Sequence, residues 1–224
     1  FPDSAYSEAG AKTASATDMA GSVDIFVHVQ PPTTEEVNAL KKGSIVVCML
    51  NARTNPSGVS SLASAGATAL AMELVPRIAR AQRMDVLSSQ ASIAGYKAVL
   101  LAANSLGKYL PMMMTAAGTI PPAKILVLGA GVAGLQAIAT ARRLGAVVEA
   151  FDVRAAAGEQ VESLGAKFIQ PEAAVDAEGA GGYAKEQSED QQEAQREFLK
   201  EHIAKSDAVI TTAAIPGHPA PLLM

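Results

Sequence analysis

One cysteine, three histidines and no excess of basic charge set the first limits on this 224-residue chain. Cys48 alone cannot close an internal disulfide; within Ile45-Val46-Val47-Cys48-Met49-Leu50 it reads as a small buried hydrophobe, consistent with a reducing compartment. A formal net charge of -4 leaves binding to nucleic acid or lipid headgroups without an electrostatic basis. No secretory signal stands out, and no apolar run of about 18 residues. Metal-ligand spacing, a nucleophile elbow and a paired-acid motif are absent too, so no metal site is expected. What is present is a hydrophobic fraction of 49%, enough for buried cores in an ordinary α/β composition.

The most informative segment is Lys124-Ile125-Leu126-Val127-Leu128, which runs straight into Gly129-Ala130-Gly131-Val132-Ala133-Gly134. A helical pattern follows, then Val147-Val148-Glu149-Ala150-Phe151 ending at Asp152, 23 residues beyond Gly129. Strand, glycine turn, helix, strand and acid form the layout of a dinucleotide site. The first glycine serves a tight turn, the second lets a pyrophosphate approach the backbone, and the third allows close packing of helix on strand. N–H groups at the new helix's N-terminus then face the anion. The Asp152 carboxylate can accept hydrogen bonds from adenosine ribose hydroxyls and would repel the 2′-phosphate of NADP, which favours NAD. Arg154, two residues on, could instead accept a phosphate or stand solvated.

Ahead of this unit, Asp24 to Val29, Ser44 to Leu50 and Thr68 to Met72 are apolar runs of strand length. Between them, Thr33 or Thr34 opens a helix that carries acids in its first turn and Gly43 as its stop. Asn55-Pro56-Ser57 opens another, closed by Gly66. The alternation predicts part of a parallel-sheet domain over residues 1–76 and a nucleotide-binding domain over 77–224. Pro76 to Gln90 turns polar, as an interdomain segment would. Ala91 to Leu110 reads as a helix limited by Pro111, and Met112 to Thr119 as a connector. Beyond Asp152 the pattern gives a helix from Ala156 to Leu164, a strand from Ala166 to Ile169 and an irregular stretch from Gln170 to Gln187. A charged helix from Glu189 to Lys205 follows, its inner stripe Ala194, Phe198, Leu199 and Ile203, and then a fourth strand from Asp207 to Ala213. The chain opens on Phe1 and stops at Met224 just past that strand, so both domains are expected to be incomplete in a fragment of something longer.

An NAD enzyme that oxidises an alcohol or amine must also move a proton, commonly through His or Lys at the reacting carbon. His202 lies on the charged helix and is expected to be solvated, and His28 reads as a core histidine. His218, in Pro216-Gly217-His218-Pro219, is the one candidate on the cofactor side. A redox cofactor without clear proton-transfer equipment fits direct hydride passage between two nicotinamide rings, because that step moves no proton. With one fingerprint here, the second nucleotide would sit on another polypeptide. A module that only senses NAD fits equally well.

The segment Arg77-Ile78-Ala79-Arg80-Ala81-Gln82-Arg83-Met84-Asp85-Val86-Leu87-Ser88-Ser89-Gln90, with Ala94-Gly95-Tyr96, adds a second line of reasoning. Together with Pro111 to Thr119 and Glu159 to Gly165, it closely resembles the NAD(H)-binding component of proton-translocating nicotinamide nucleotide transhydrogenases, within the alanine dehydrogenase/transhydrogenase family. The resemblance runs from about Phe1 to Met224. It implies two Rossmann-like, doubly wound parallel-sheet domains flanking a cleft, a homodimer, and hydride transfer from NADH to NADP+ held by an NADP(H)-binding component. It also implies a proton-conducting membrane component. The chain itself would be peripheral, on the cytoplasmic face of a bacterial inner membrane or the matrix face of a mitochondrial one.

Carried over residue by residue, the resemblance makes Arg77, Gln82, Asp85 and Ser88 the groups at the nicotinamide and the partner ribose, with Ile78, Ala79, Arg83 and Met84 in the same cofactor-binding loop. It places Asp152, Val153 and Arg154 around the adenosine ribose and Gly131 and Val132 at the pyrophosphate, between Gly129 and Gly134. Gly182 and Tyr183 match a mobile loop that closes over NAD, and Gln195, Ala213 and Ala214 match cofactor-contacting positions. Gln82 can donate and accept, while Arg77 and Asp85 can orient one another without titrating near neutrality. One departure is informative: Met49-Leu50-Asn51 stands where the related alanine dehydrogenases carry a substrate-handling histidine, and its absence weakens the alanine-dehydrogenase reading. An alanine-dehydrogenase-like oxidoreductase is the enzyme alternative, and a non-catalytic NAD-binding module the other.

Overall fold

The computed structural model describes residues 1–76, 78–171, 188–214, 220 and 223. Two compact units emerge, Phe1–Val86 and Leu87–Met224, and both are built on parallel sheets.

In the first unit, helices α1 (Asp3–Glu8) and α2 (Ala16–Ser22), neither legible in the sequence, precede strands β1 (Ile25–Val27), β2 (Ile45–Cys48) and β3 (Thr68–Ala71). The strands lie in the order β1-β2-β3, joined through α3 (Thr34–Ala39) and α4 (Pro56–Ser64). Helix α3 starts where expected, because the Thr33 hydroxyl accepts the Glu36 N–H while the Glu36 carboxylate accepts the Thr33 N–H. It ends at Leu40, short of Gly43, where the backbone turns out of helical geometry at ψ 134°. The Asn55 side chain accepts the Gly58 N–H at 3.1 Å, and Pro56 fills the first turn of α4. Phe26, Val46 and Cys48 on one sheet face pack with Ala20, Val37, Leu40 and Leu62. Cys48 is thus the buried hydrophobe expected, and burial pushes its thiol pKa up. On the other face the register brings Ile25 beside Ile45, Val27 beside Val47, and Val47 beside Leu70. Ile25, Val27 and Leu70 are 57%, 70% and 51% exposed.

A 3-10 turn, Met72–Leu74, follows β3, and the polar segment forms a second, Ala79–Met84. Helix α5 (Val86–Ser105) begins inside that segment rather than at Ala91, and ends before Leu110. At 20 residues and a mean hydropathy of 1.2, α5 is long and apolar enough to cross a membrane by length and composition, which corrects the expectation that no such run exists. Its Val99 belongs to the core of the second unit, with Ala98, Ala102 and Ala103 against it. A Cβ on Gly95 would come within 2.0 Å of the Ala133 carbonyl, so α5 lies close to the helix that follows the glycine turn. The expected connector after Pro111 contains an antiparallel hairpin, β4 (Met113–Thr115) with β5 (Gly118–Ile120).

The remaining elements are β6 (Lys124–Leu128), α6 (Val132–Arg143), β7 (Val147–Phe151), α7 (Ala157–Ser163), β8 (Lys167–Ile169), α8 (Glu189–Ala204) and β9 (Ala208–Thr211). Their four strands are all parallel, in the order β8-β7-β6-β9. The order reverses at β6, which is therefore central and must be apolar on both faces. Ile125 and Val127 join the cluster containing Ala137, Ile138, Ala141 and Val161, whereas Leu126 and Leu128 join Leu199, with Phe198 and Ile203 packed against them. One correction concerns α8: Ala194 is exposed, and the buried position beside it is Gln195.

Candidate nucleotide-binding site

The C-terminal ends of β6, β7 and β9 bring the fingerprint together. Gly129 has φ +100°, a conformation that only glycine adopts without strain, and a Cβ there would meet the Ala213 N at 2.8 Å. Gly134 sits so close beneath the turn that a Cβ would stand 1.8 Å from the Gly129 carbonyl oxygen. Gly131 is different, with nothing within 4 Å of an added Cβ. It is also the N-cap of α6 and has no side chain capping the helix. The open approach, the uncapped helix N-terminus and the neighbouring exposed Val132 make this edge able to take an anion.

Asp152 closes the other side. Its carboxylate, 6% exposed, accepts the Ala130 N–H at 2.7 Å through Oδ2 and the Arg154 N–H at 2.9 Å through Oδ1. The Arg154 guanidinium adds a two-pronged contact, Nε to Oδ1 and Nη2 to Oδ2, each at 2.8 Å. Arg154 is therefore neither solvated nor poised toward solvent as a phosphate acceptor. Burial alone would push the Asp152 carboxyl up, but the Arg154 guanidinium and the two N–H groups outweigh it and hold the pKa below the usual aspartate value. Val153 packs with Leu199 and Phe151.

Two residues that the sequence does not single out support this edge. The Thr212 hydroxyl donates to the Gly129 carbonyl at 2.9 Å, and Gln170 Nε2 donates to the Asp152 carbonyl at 3.0 Å. The one available signal for Thr212 is a hydroxyl at a strand end directly before Ala213. Gln195 is 5% exposed, and its Oε1 has no hydrogen-bond partner among the described residues. An orphaned acceptor buried in this way is suited to a donor from a bound molecule. Ala213 is half-buried beside Gly129, and Ala214 is exposed.

Ile78, Ala79, Gln82, Arg83 and Met84 are exposed on the second 3-10 turn, with Ala81 buried beneath it. The Gln82 carbonyl accepts the Asp85 N–H at 3.2 Å, and Ser88 follows in the first turn of α5. Arg77, Gly182, Tyr183 and His218 lie outside the described residues.

The two described histidines are engaged elsewhere. His28 stacks on Phe26, and its Nδ1 lies 2.8 Å from the Gln30 carbonyl; the ring is half-buried at the surface rather than in the core. His202, expected in solvent, is half-buried with Nδ1 2.7 Å from Glu149 Oε2. Among the described residues, no group of three or more His, Cys, Asp or Glu side chains could hold a metal ion.

Comparison with known proteins turns this geometry into a lineage. The model of the alanine dehydrogenase/PNT C-terminal domain matches residues 98–224, and that of the N-terminal domain matches residues 1–94. The chain belongs to the alanine dehydrogenase/PNT family. Within that family, 99% of the chain aligns at 54% identity with the first portion of the NAD(P) transhydrogenase alpha subunit of Rhodospirillum rubrum, covering 60% of that protein. A solved transhydrogenase from Sinorhizobium meliloti superposes with a TM-score of 0.83 at 52% identity, over 99% of this chain and 59% of that one. An L-alanine dehydrogenase structure reaches 0.73 at 25% identity, over 100% of this chain and 56% of that one. The chain is thus a homologue of transhydrogenase alpha subunits and spans about 60% of the length of the Rhodospirillum rubrum relative.

Proposed function

We propose that this chain is part of the NAD(H)-binding component of a proton-translocating transhydrogenase, giving hydride from NADH directly to NADP+ held on a partner component. The observation that carries the nucleotide seat is the buried Asp152 carboxylate bonded to the Ala130 N–H, which joins the acid to the glycine turn. The choice between the family's two branches rests on the 54% identity with a transhydrogenase subunit, against 26% with the alanine dehydrogenase of Mycolicibacterium smegmatis. In this reading the second unit is Rossmann-like and doubly wound, with the nucleotide at the edge where strand order reverses. The full protein would be a homodimer seated on the cytoplasmic face of a bacterial inner membrane or the matrix face of a mitochondrial one. There it would work beside an NADP(H)-binding component and a proton-conducting membrane component.

NAD(H), when bound, supplies the hydride. The backbone between Gly129 and Gly134 and the α6 N-terminus hold the pyrophosphate. Asp152, Val153 and Arg154 hold the adenosine ribose, Asp152 by turning its acceptors from the guanidinium to the ribose hydroxyls. Gln195, Ala213 and Ala214 line the same seat, and Gly182 and Tyr183 cover it. Arg77, Gln82, Asp85 and Ser88, with Ile78, Ala79, Arg83 and Met84 around them, orient the nicotinamide ring for a neighbouring ring. No proton has to be moved, so these side chains position and exclude water rather than titrate.

The test uses the full-length protein mixed with an NADP(H)-binding partner. Asp152→Ala is expected to weaken NADH binding, whereas Gln82→Asn slows hydride exchange with an NADP analogue more than it weakens binding. Equal losses of affinity in the two variants would contradict the assignment, and turnover of L-alanine with NAD+ would support the alanine dehydrogenase reading instead.

A further inference from the structure

Beyond β2 the chain makes a tight turn in which Asn51 takes φ +55°, a left-handed conformation that few residues other than glycine and asparagine adopt. Its neighbours hold it there. The Asn51 carbonyl accepts the Thr54 and Asn55 N–H groups at 2.9 Å each, and Asn55 Nδ2 donates to the Leu50 carbonyl at 3.2 Å. The N–H groups of Leu50 and Ala52, on either side of Asn51, both meet one carboxylate. Glu73 accepts the first through Oε2 and the second through Oε1, each at 2.9 Å. Two amides flanking a left-handed residue form a concavity that favours an anion, and both bonds to it are charge-assisted.

Glu73 is half-buried in the 3-10 turn that follows β3, at the root of the segment that runs on to Asp85. From there the backbone bonds are local: Val75 N–H to the Met72 carbonyl, Ile78 to Pro76, Ala81 to Ile78 and Asp85 to Gln82. A string of short turns has little stiffness of its own. Ala81 is buried beneath it, and Glu73 reaches out of it to the turn between β2 and α4. We infer that Glu73 is a positioning residue for hydride transfer: by clamping the β2–α4 turn it fixes the root of the segment that carries Gln82 to the nicotinamide. The inference rests on reading that segment as the nicotinamide loop. Glu73 acts through the backbone, its carboxylate committed to two amides. A drift of about 1 Å in a positioning group can cost on the order of a hundredfold in rate. The pyrophosphate and adenosine contacts belong to the second unit, so NADH stays bound while transfer slows.

The test uses the full-length protein with an NADP(H)-binding partner. It reads NADH affinity by fluorescence and the rate of hydride transfer to an NADP analogue at saturating nucleotide. Glu73→Gln keeps the side chain's length and loses an acceptor, whereas Glu73→Asp keeps the charge and both acceptors but shortens the clamp by one methylene. Both are expected to slow transfer about tenfold or more and to change NADH affinity by less than about threefold. A residue that only stabilised the fold would lower the urea midpoint and leave transfer by the folded protein unchanged, and that result overturns the inference. Wild-type transfer in Glu73→Asp beside slow transfer in Glu73→Gln makes charge the cause rather than the clamp, and overturns it too. Combination with Gln82→Asn separates the anchor from the reading beneath it. If Glu73 acts through the loop that carries Gln82, adding Glu73→Asp slows the Gln82→Asn protein by less than about threefold; losses that multiply put Glu73 on another route and sink the anchor. Wild-type transfer in Gln82→Asn refutes the nicotinamide loop itself. Slow transfer there, with normal transfer in both Glu73 variants, refutes only the anchor. Should Glu73→Gln fold poorly, Glu73→Asp, which keeps an anion for the two amides, decides the matter alone.

Discussion

Gly134 shows how little slack the site has at the residue scale. A methyl group there would sit 1.8 Å from the Gly129 carbonyl oxygen and 2.9 Å from Thr212 Oγ1, and a backbone carbonyl in a tight turn cannot swing aside as a flexible side chain can. Gly134→Ala must therefore lift α6 from the turn. We expect a loss of about 1 to 3 kcal/mol, the usual cost of overpacking, seen as a lower urea midpoint together with weaker NADH binding; an unchanged midpoint would contradict the close approach. The glycines and Asp152 are legible because the motif is local, and strand, turn and helix fix their spacing within one supersecondary unit. Arg154 is only half legible, since no sequence pattern says that its guanidinium turns back two residues onto Asp152. His202 departs from expectation for a related reason: its partner Glu149 lies on a strand 53 residues earlier, so the charged helix alone suggests solvent.

At the scale of elements, α8 is held to the sheet by an apolar stripe and by one polar cluster. Glu149 on β7 meets His202 Nδ1 at 2.7 Å and the Lys167 ammonium of β8 at 3.2 Å, while Phe198 packs between Phe151 and the His202 ring. Burial pushes the Glu149 carboxyl up, but the hydrogen bonds and charges of His202 and Lys167 outweigh it and leave the pKa below the ordinary 4.5. A carboxylate lowered in the folded state contributes stability that is complete above its unfolded pKa and is lost as pH falls through the folded one. The wild-type urea midpoint should therefore fall more steeply below pH 4.5 than that of Glu149→Gln. Parallel slopes would remove the cluster's role. Several element boundaries are not legible. The β4–β5 hairpin has neither an alternating pattern nor an Asn-Gly turn, so Met112 to Thr119 resembles a connector. The start of α5 is hidden because Ser88, Ser89 and Gln90 make a helical turn look like loop.

For the whole molecule, the alternation of strands and helices is readable across the two parallel sheets, because their strands are short apolar runs and the helices α3, α4 and α8 carry side-chain caps. The sequence cannot reveal which faces of the sheets are covered, since a continuous apolar strand reads the same with one face buried or two. In the second unit, helices lie on both faces. In the first, Ile25, Val27 and Leu70 stand exposed on one side of the sheet. A chain of these 224 residues should bind a hydrophobic fluorescent dye strongly, and Val27→Thr with Leu70→Thr should lower the signal. A dye response unchanged by both substitutions would place the bound dye elsewhere.

That bare flank also bears on how the polypeptide must be handled. Greasy surfaces find one another in proportion to how often molecules collide, so dilution protects the chain and crowding harms it. Yield on return from denaturant should drop as the amount of protein in the tube rises, and a mild detergent should bring it back.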